Sequence, residues 1–155
     1  CNDGWLGASL YARYLADEPL AAPPPVDLDA ERRHGEFLQA QINNGHIAAA
    51  HDIGDGGLAV AVAEMCIAGG MGAVLSCPEG GNRHGWAFGE DQGRYLVAVD
   101  DPDAVVRAAN DMNVDITIIG VLNGDDELKF GSGDAISVTQ MKHDAEATIP
   151  ALMQG

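Results

Sequence analysis

Residues 46–70 run from one apolar segment through a glycine-rich acidic loop into a second apolar segment. The first segment, HIAAAHDI, has the length of a buried strand. The second runs from about Leu58 to Ala68 and ends at a glycine pair, which is typical of a helix. The loop between them, GDGG, predicts a tight turn. This order constrains the fold strongly, because a strand, a turn and a helix start must follow one another within a few residues.

The same alternation continues along the chain. Apolar patterns predict strands near residues 47–52, 71–76, 94–99 and 114–122, and helices at 58–68 and 101–112. The order strand–helix–strand–strand–helix–strand predicts an α+β fold of the split βαβ (ferredoxin-like) type, an α/β sandwich with one sheet and both helices on one face. The run VDITIIGVL hardly alternates, so both of its faces are expected to be covered.

The ends of the chain add further elements. Residues 1–28 are predicted to form an N-terminal helix, at 6–16, and a proline-rich linker, and residues 29–155 the main domain. Leu6, Leu10 and Tyr14 recur at helical spacing in the first helix. A second helix is expected at 29–44 with Phe37, Leu38 and Ile42 on one face, two edge strands in ELKF and AISV joined by GSGD, and a last helix at 139–148. The alternative for Pro23–Pro25 is a ligand for a partner domain.

Charge and cysteine content limit the function classes. The 155-residue chain carries 24 acidic against 8 basic residues, a net charge of −16, which argues against nucleic acid or an anionic membrane as a partner. Cys1, Cys66 and Cys77 form neither a disulfide framework nor a zinc motif, and Cys66 is expected to be a buried free thiol. A cytoplasmic location is therefore predicted. No apolar run is long enough to span a bilayer, no signal peptide is evident, and the first residue suggests part of a longer chain.

The glycine loop is the strongest candidate site. Backbone N–H groups at a helix start attract anions, and glycines let a ligand approach the backbone. Asp52 and Asp55 cannot hold a phosphate directly, but carboxylates bind Mg²⁺, which bridges to phosphate oxygens. The pattern thus favours a metal–nucleotide site at Asp52 and Gly54–Gly57. The alternative is that Asp55 caps the helix and the glycines only form the turn.

Other polar residues have less specific patterns. His51 fits either a general base or a packed histidine. Glu90 and Asp91, in GEDQG, either face the same cleft or belong to a solvated turn. His84 and His143 lack metal-ligand spacing. The turn Gly131–Gly133 lacks the lysine of a phosphate loop and is expected to be a hairpin turn.

Several segments resemble phosphoribosylformylglycinamidine synthase, in the same order as in that family. AHDIGDGGLAVAVAEM resembles its HDxSDGGL segment, FGEDQGRYLVAV its FGE-QGR strand entry, and ITIIGVL its IGxV strand. LGASLY and PPPVDLDAERRHGEFLQAQINNG resemble the segments that come before. The loop by itself is shared with aminoimidazole ribonucleotide synthetase, selenophosphate synthetase, thiamine monophosphate kinase and a hydrogenase maturation protein, whereas the ordered set is specific.

The resemblance implies the C-terminal domain of the small form of this ATP-dependent carbon–nitrogen ligase of purine biosynthesis. The family converts formylglycinamide ribonucleotide, ATP and glutamine-derived ammonia into formylglycinamidine ribonucleotide, ADP and phosphate. It implies as partners the remaining synthase domains, a glutaminase subunit and a small accessory subunit. No catalytic residue of the family matches here, so the chain alone is expected to be inactive. The alternatives are the same domain of a related ATP-using enzyme and a non-catalytic assembly module.

The resemblance also assigns roles within the loop. In the long form of the family, the first Asp of HDxSDGG binds magnesium and the serine contacts a nucleotide at a second, auxiliary site. The matching residues here are Asp52 and Gly54, and Asp55, Gly56 and Gly57 complete the nucleotide-binding segment that the resemblance implies. Gly54 departs from the family pattern, in which a serine contacts the nucleotide. The cofactors implied for the parent enzyme are Mg²⁺ and ATP.

Overall fold

The structure is a computed structural model that describes residues 4–17, 21–78 and 81–153. The described helices and strands confirm the α+β class. The helices are α1 (Leu10–Tyr14), α2 (Leu28–Asn43), α3 (Gly57–Gly69), α4 (Arg83–Phe88), α5 (Pro102–Asp111) and α6 (Val138–Met153). The strands are β1 (Ala49–Asp52), β2 (Ala73–Leu75), β3 (Tyr95–Ala98), β4 (Gly120–Leu122), β5 (Glu127–Phe130) and β6 (Ile136–Ser137). None of these helices combines the length and the apolar character needed to cross a bilayer.

The chain divides into two compact units. Unit 1 contains residues 1–61 and 81–118, and unit 2 contains residues 62–80 and 119–155. The first of the three boundaries along the chain falls within α3, between Ala61 and Val62. The sequence predicts a different kind of division, between an N-terminal segment (1–28) and a main domain (29–155). That division stays a prediction.

Unit 1 is built on the antiparallel pair β1–β3, in which Ala49 lies opposite Ala98 and Asp52 opposite Tyr95. Its apolar cluster is formed by α2, α5 and the residues after α5: Phe37, Val105, Ala109 and Val114. The ends of α2 and α5 follow from capping, because Asp27 accepts from the Asp29 and Ala30 amides and Asp101 from the Ala104 amide.

Unit 2 holds a four-stranded sheet in the order β4-β2-β5-β6. β2 pairs antiparallel with β4 and parallel with β5, and β6 completes an antiparallel hairpin with β5. The expected hairpin turn at 131–133 thus joins two paired strands. Asp126 accepts from the Thr139 backbone amide and from both hydroxyls, of Ser137 and Thr139, and so fixes the start of α6.

The single sheet predicted from the strand order is wrong. The first and third predicted strands pair in unit 1, whereas the second and fourth pair in unit 2. Gly120 allows β4 to pair closely with β2, because a Cβ at position 120 would collide with the carbonyl of Val74. β5 was expected at an edge but lies between β2 and β6, since ELKF supplies the parallel neighbour of β2. Because the four predicted strands do not form one sheet, the expectation that both helices pack on one face of that sheet is also wrong.

Several element boundaries also differ from prediction. The run 114–122 forms a strand only at 120–122, where the side chains of Val121 and Leu122 are 66% and 56% exposed rather than covered as expected. α1 begins only at Leu10 and leaves Tyr14 exposed, and Ile42 on α2 is also exposed. Apolar spacing identifies a face that could be buried, but burial requires a partner surface. α6 continues beyond the predicted end at 148 and contains Pro150.

Other expectations hold. The segment at 21–27 has no regular secondary structure, as its prolines predict, and the indole N–H of Trp5 donates to the carbonyl of Ala22 at 3.0 Å. The predicted linker residues 18–20 lie outside the described residues. Cys66 is a free thiol with 1% exposure, and burial raises its pKa.

Candidate functional site at the glycine loop

The loop leaves β1 at Asp52 and enters α3 at Gly57. Ile53 is buried, and its amide donates to the carbonyl of Arg94 at 2.9 Å, which continues the β1–β3 pairing by one residue. The Gly57 amide donates to the carbonyl of Gly54 at 2.9 Å and closes the turn. The sequence prediction of strand, tight turn and helix start is therefore confirmed.

Gly56 and Gly57 provide backbone conformations that other residues rarely adopt, with φ of +81° and +69°. Both are buried. A Cβ on Gly57 would lie 2.7 Å from the carbonyl carbon of Phe88 and 2.8 Å from the carbonyl oxygen of Gly89. The glycines therefore bring the start of α3 directly against the segment after α4.

Asp52 and Asp55 lie on the outside of this loop, and both are exposed. The Asp52 side chain is 80% exposed, with Oδ1 3.6 Å from Nδ1 of His51, and that nitrogen is 2.5 Å from the Asp52 carbonyl oxygen. His51 thus lies against its neighbour at the strand end. α3 begins at Gly57, and the alternative that Asp55 caps this helix stays a prediction.

The carboxylate that reaches the loop backbone belongs to Glu90. Its Oε1 accepts from the Gly56 amide at 2.8 Å and from the Leu10 amide at 2.9 Å. One carboxylate therefore joins the glycine loop to the start of α1. The solvated-turn interpretation of GEDQG is wrong, because Glu90 is half-buried and the neighbouring Asp91 is only 6% exposed.

Asp91 anchors the other side of the same segment. Its two carboxylate oxygens lie 3.3 Å from the Trp5 amide, and Arg94 Nη1 lies 3.3 Å from Asp91 Oδ2 and 3.2 Å from the Gly89 carbonyl. Burial lowers the pKa of Arg94, and the adjacent Asp91 charge opposes that shift. The sequence places Asp91 and Arg94 three residues apart, but nothing in that spacing predicts a nearly buried ion pair.

The other polar candidates lie elsewhere in the fold. Nδ1 of His84 is 3.0 Å from the hydroxyl of Tyr11, and the two rings lie 5.4 Å apart. A shallow cleft in unit 2 is lined by acidic loop residues and the β6 end, namely Asp125, Asp126, Glu127, Ala135 and Ser137. That lining includes no residue of the glycine loop.

The loop residues fit a divalent cation and a phosphate unequally. The Asp52 carboxylate is accessible and is the kind of oxygen ligand that Mg²⁺ takes, with water and phosphate completing the shell. The Gly56 and Gly57 amides already donate to Glu90 and to Gly54, so in this arrangement they are not available to a phosphate. Across residues 4–17, 21–78 and 81–153, no three His, Cys, Asp or Glu side chains are grouped to hold a metal ion.

Gly54 is the position at which the resemblance leads us to expect a serine. Its φ lies outside the left-handed range, and a Cβ there would meet only Asp52 Oδ2, at 3.9 Å. That distance is an ordinary van der Waals contact. A serine at position 54 would therefore be accommodated beside the Asp52 carboxylate without movement of the backbone.

Curated relatives match nearly the whole chain. A protein named phosphoribosylformylglycinamidine synthase subunit PurL from Rhodopseudomonas palustris (strain HaA2) is 44% identical over 155 residues, which is 98% of this chain and 21% of the relative. The subunit of the same name from Granulibacter bethesdensis is 47% identical over 148 residues, covering 96% and 20%. The chain therefore spans about a fifth of the length of these relatives.

Solved structures share the fold. Thermotoga maritima PurL complexed with FGAR superimposes with a TM-score of 0.72 at 18% identity, covering 92% of this chain and 26% of that chain. The structure of PurLQS from the same organism gives 0.68 at 15% identity, covering 88% and 24%. PurL complexed with ATP gives 0.62 at 15% identity, covering 72% and 21%.

The family profile described as AIR synthase related protein, C-terminal domain, matches residues 2–132. That range contains the glycine loop, the Glu90–Arg94 segment and all six strands except β6. This chain belongs to the family of AIR synthase related proteins, as a C-terminal domain of that family.

Proposed function

We propose that this chain is the C-terminal domain of an ATP-dependent phosphoribosylformylglycinamidine synthase of the small form. The observation that carries the proposal is the 44–47% identity to curated synthase subunits over nearly the whole chain. The complete enzyme would convert formylglycinamide ribonucleotide, ATP and glutamine-derived ammonia into formylglycinamidine ribonucleotide, ADP and phosphate. Related structures complexed with FGAR and ATP support these ligands for the parent enzyme.

In this proposal, Asp52 holds Mg²⁺ at the outer side of the glycine loop. Bound Mg²⁺ would neutralise phosphate charge and bridge phosphate oxygens. Gly54 and Asp55, both exposed, would lie next to the nucleotide, whereas contact by Gly56 and Gly57 would require their amides to exchange their present acceptors. His51 stays beside Asp52 at the strand end and would hold it in place.

The proposal extends to the surroundings of the domain. Residues 1–28 would form the N-terminal helix and linker, and residues 29–155 the synthetase-type domain. The remaining domains of the parent synthase, a glutaminase subunit and a small accessory subunit would be its partners, which the PurLQS assembly supports. The expected compartment is the cytoplasm, where free thiols such as Cys66 and Cys77 stay reduced.

A non-catalytic assembly module is the second candidate. It is favoured by the hydrogen bonds that the Gly56 and Gly57 amides already donate within the chain. These bonds make the loop a structural connection rather than an open phosphate site. In that case Asp52 would contribute nothing to nucleotide binding. The two candidates therefore differ in the behaviour of one carboxylate.

Synthase assays separate the candidates. The isolated chain, given formylglycinamide ribonucleotide, ATP, Mg²⁺ and ammonia, should release no more ADP than the buffer blank. In the proposed full-length synthase, Asp52→Asn should lower the rate and raise the Mg²⁺ concentration needed for half-maximal activity, while the exposed Asp103→Asn on α5 serves as the matched control. Turnover by the isolated chain, or equal Mg²⁺ dependence of Asp52→Asn and the control, would contradict the proposal.

A further inference from the structure

Glu90 is held from both its backbone and its side chain. Its own amide donates to the carbonyl of Trp5 at 2.9 Å, and the preceding Gly89 amide donates to the carbonyl of Gly85 at 2.8 Å. The side chain then projects toward two amides from distant parts of the chain, those of Leu10 and Gly56. The carboxylate is therefore fixed at a junction of three segments within unit 1.

The Gly56 amide lies where a helix start would hold a ligand anion. Amides at the start of a helix lack partners within the helix, and the positive end of the helix dipole favours negative charge there. Here the acceptor is a side-chain carboxylate, and its 2.8 Å and 2.9 Å distances are those of charge-assisted hydrogen bonds. Gly56 itself is buried, so its amide points into the protein rather than to open solvent.

Charge around the loop argues in the same direction. Asp52, two residues before Gly54, and Asp55, between Gly54 and Gly56, are exposed carboxylates, and the Glu90 carboxylate lies at the inner side of the loop. A free phosphate approaching this loop from solvent would meet the negative charges of Asp52 and Asp55, and the buried Gly56 amide already donates to Glu90. The loop is thus built to repel a bare phosphate unless a cation screens it.

We propose that Glu90 is the resident anion of the glycine loop. Its carboxylate fills the position in which Gly56 would otherwise bind a phosphate oxygen, and by holding Leu10 as well it couples the shape of the loop to the start of α1. Glu90 is a positioning residue, since it acts on a ligand only through the backbone of the loop. The inference goes beyond the proposed function and does not depend on it, because it concerns contacts within this chain.

The test uses amide signals of the chain in nuclear magnetic resonance, with inorganic phosphate as the probe. Glu90→Ala frees two N–H groups and removes one negative charge, so phosphate should produce a saturable shift at Gly56 and Leu10. The wild-type chain and the control variant Glu36→Ala, which changes an exposed acid on α2, should show no such shift. Hydrogen exchange at both amides should accelerate at least about tenfold in Glu90→Ala, as expected when a protecting hydrogen bond is lost.

A conservative variant keeps the test decisive if Glu90→Ala fails to fold. Glu90→Gln retains an oxygen acceptor without the charge, so exchange at Leu10 and Gly56 should increase together but less than in the alanine variant. The Ala104 amide, which Asp101 caps, should keep its exchange rate in every variant. Equal phosphate shifts in wild type and Glu90→Ala, no shift in either, or unchanged exchange at either amide would overturn the proposal.

Discussion

Replacing Gly57 by alanine should destabilise unit 1 by more than its backbone conformation alone explains. At φ +69°, an alanine costs about 1–2 kcal/mol in backbone energy. Its Cβ would also lie 2.7–2.8 Å from backbone atoms of Phe88 and Gly89, which cannot rotate away as a flexible side chain would. Overpacking of this kind costs about 1–3 kcal/mol, so the total is about 2–5 kcal/mol.

Gly45→Ala is the matched control. Gly45 has φ +73°, in the same unit, but a Cβ there meets nothing within 4 Å. Gly45→Ala should therefore lose stability only through its backbone conformation. Both variants also restrict the unfolded chain, and this stabilising effect is the same in each. The difference between the two variants isolates the close approach of α3 to the Phe88–Gly89 segment.

Urea unfolding followed by tryptophan fluorescence measures this difference. Trp5 and Trp86 are the two tryptophans of the chain, and both belong to unit 1, so the signal reports on the unit that contains Gly57. Against a typical unfolding free energy of about 5–15 kcal/mol, a difference of about 1–3 kcal/mol is readily measured. Destabilisations that agree within about 0.5 kcal/mol would refute the reasoning, because the backbone term alone would then suffice.

Three further predictions concern named side chains. Asp91→Ala should cost about 3–5 kcal/mol in chemical denaturation, because it leaves the nearly buried Arg94 charge without its partner, and Asp91→Ala/Arg94→Met should recover part of that loss; an additive double variant would contradict this. The hydrogen bond from Ser137 holds the pKa of Asp126 below its ordinary value, so its contribution to stability is present above about pH 4 and is lost as the pH falls through the lowered folded value. Asp126→Asn should therefore flatten the acid side of the stability–pH curve, and an unchanged curve would exclude this carboxylate. The Cys66 thiol should react with iodoacetamide much more slowly in the native chain than in urea, as measured by peptide mass spectrometry, and equal rates would contradict its burial.

Local patterns predict the elements of this fold better than their arrangement. The order of apolar segment, glycine turn and apolar segment identifies β1, the loop and α3 to within a few residues, because each depends on neighbours in sequence. The grouping of strands into two sheets depends on long-range pairing, such as β2 with β5, which no local pattern encodes. The run 114–122 illustrates the limit: its apolar residues favour a strand, but only 120–122 find a partner strand.

The candidate site likewise has features that the local sequence predicts and contacts that it does not. The exposed Asp52 and the turn at Gly56–Gly57 follow from the loop sequence itself. The contact between Glu90 and Gly56 joins residues 34 positions apart, so spacing cannot reveal it. A signal was present in the chain, since an acid placed between glycines suggests a turn that can be either solvated or buried, but only the packed structure distinguishes the two.

Calorimetric titration of Mg²⁺–ADP into the proposed full-length synthase, with and without Asp52→Asn, tests the central claim most directly. The claim is that Asp52 is the magnesium ligand on the outer side of the glycine loop. Loss of this ligand should weaken binding at least about tenfold, or about 1.4 kcal/mol, and the isolated chain should bind weakly in either form because the partner domains are missing. Equal affinities of the full-length protein and its Asp52→Asn variant would contradict the claim and leave the loop as a turn held by Glu90.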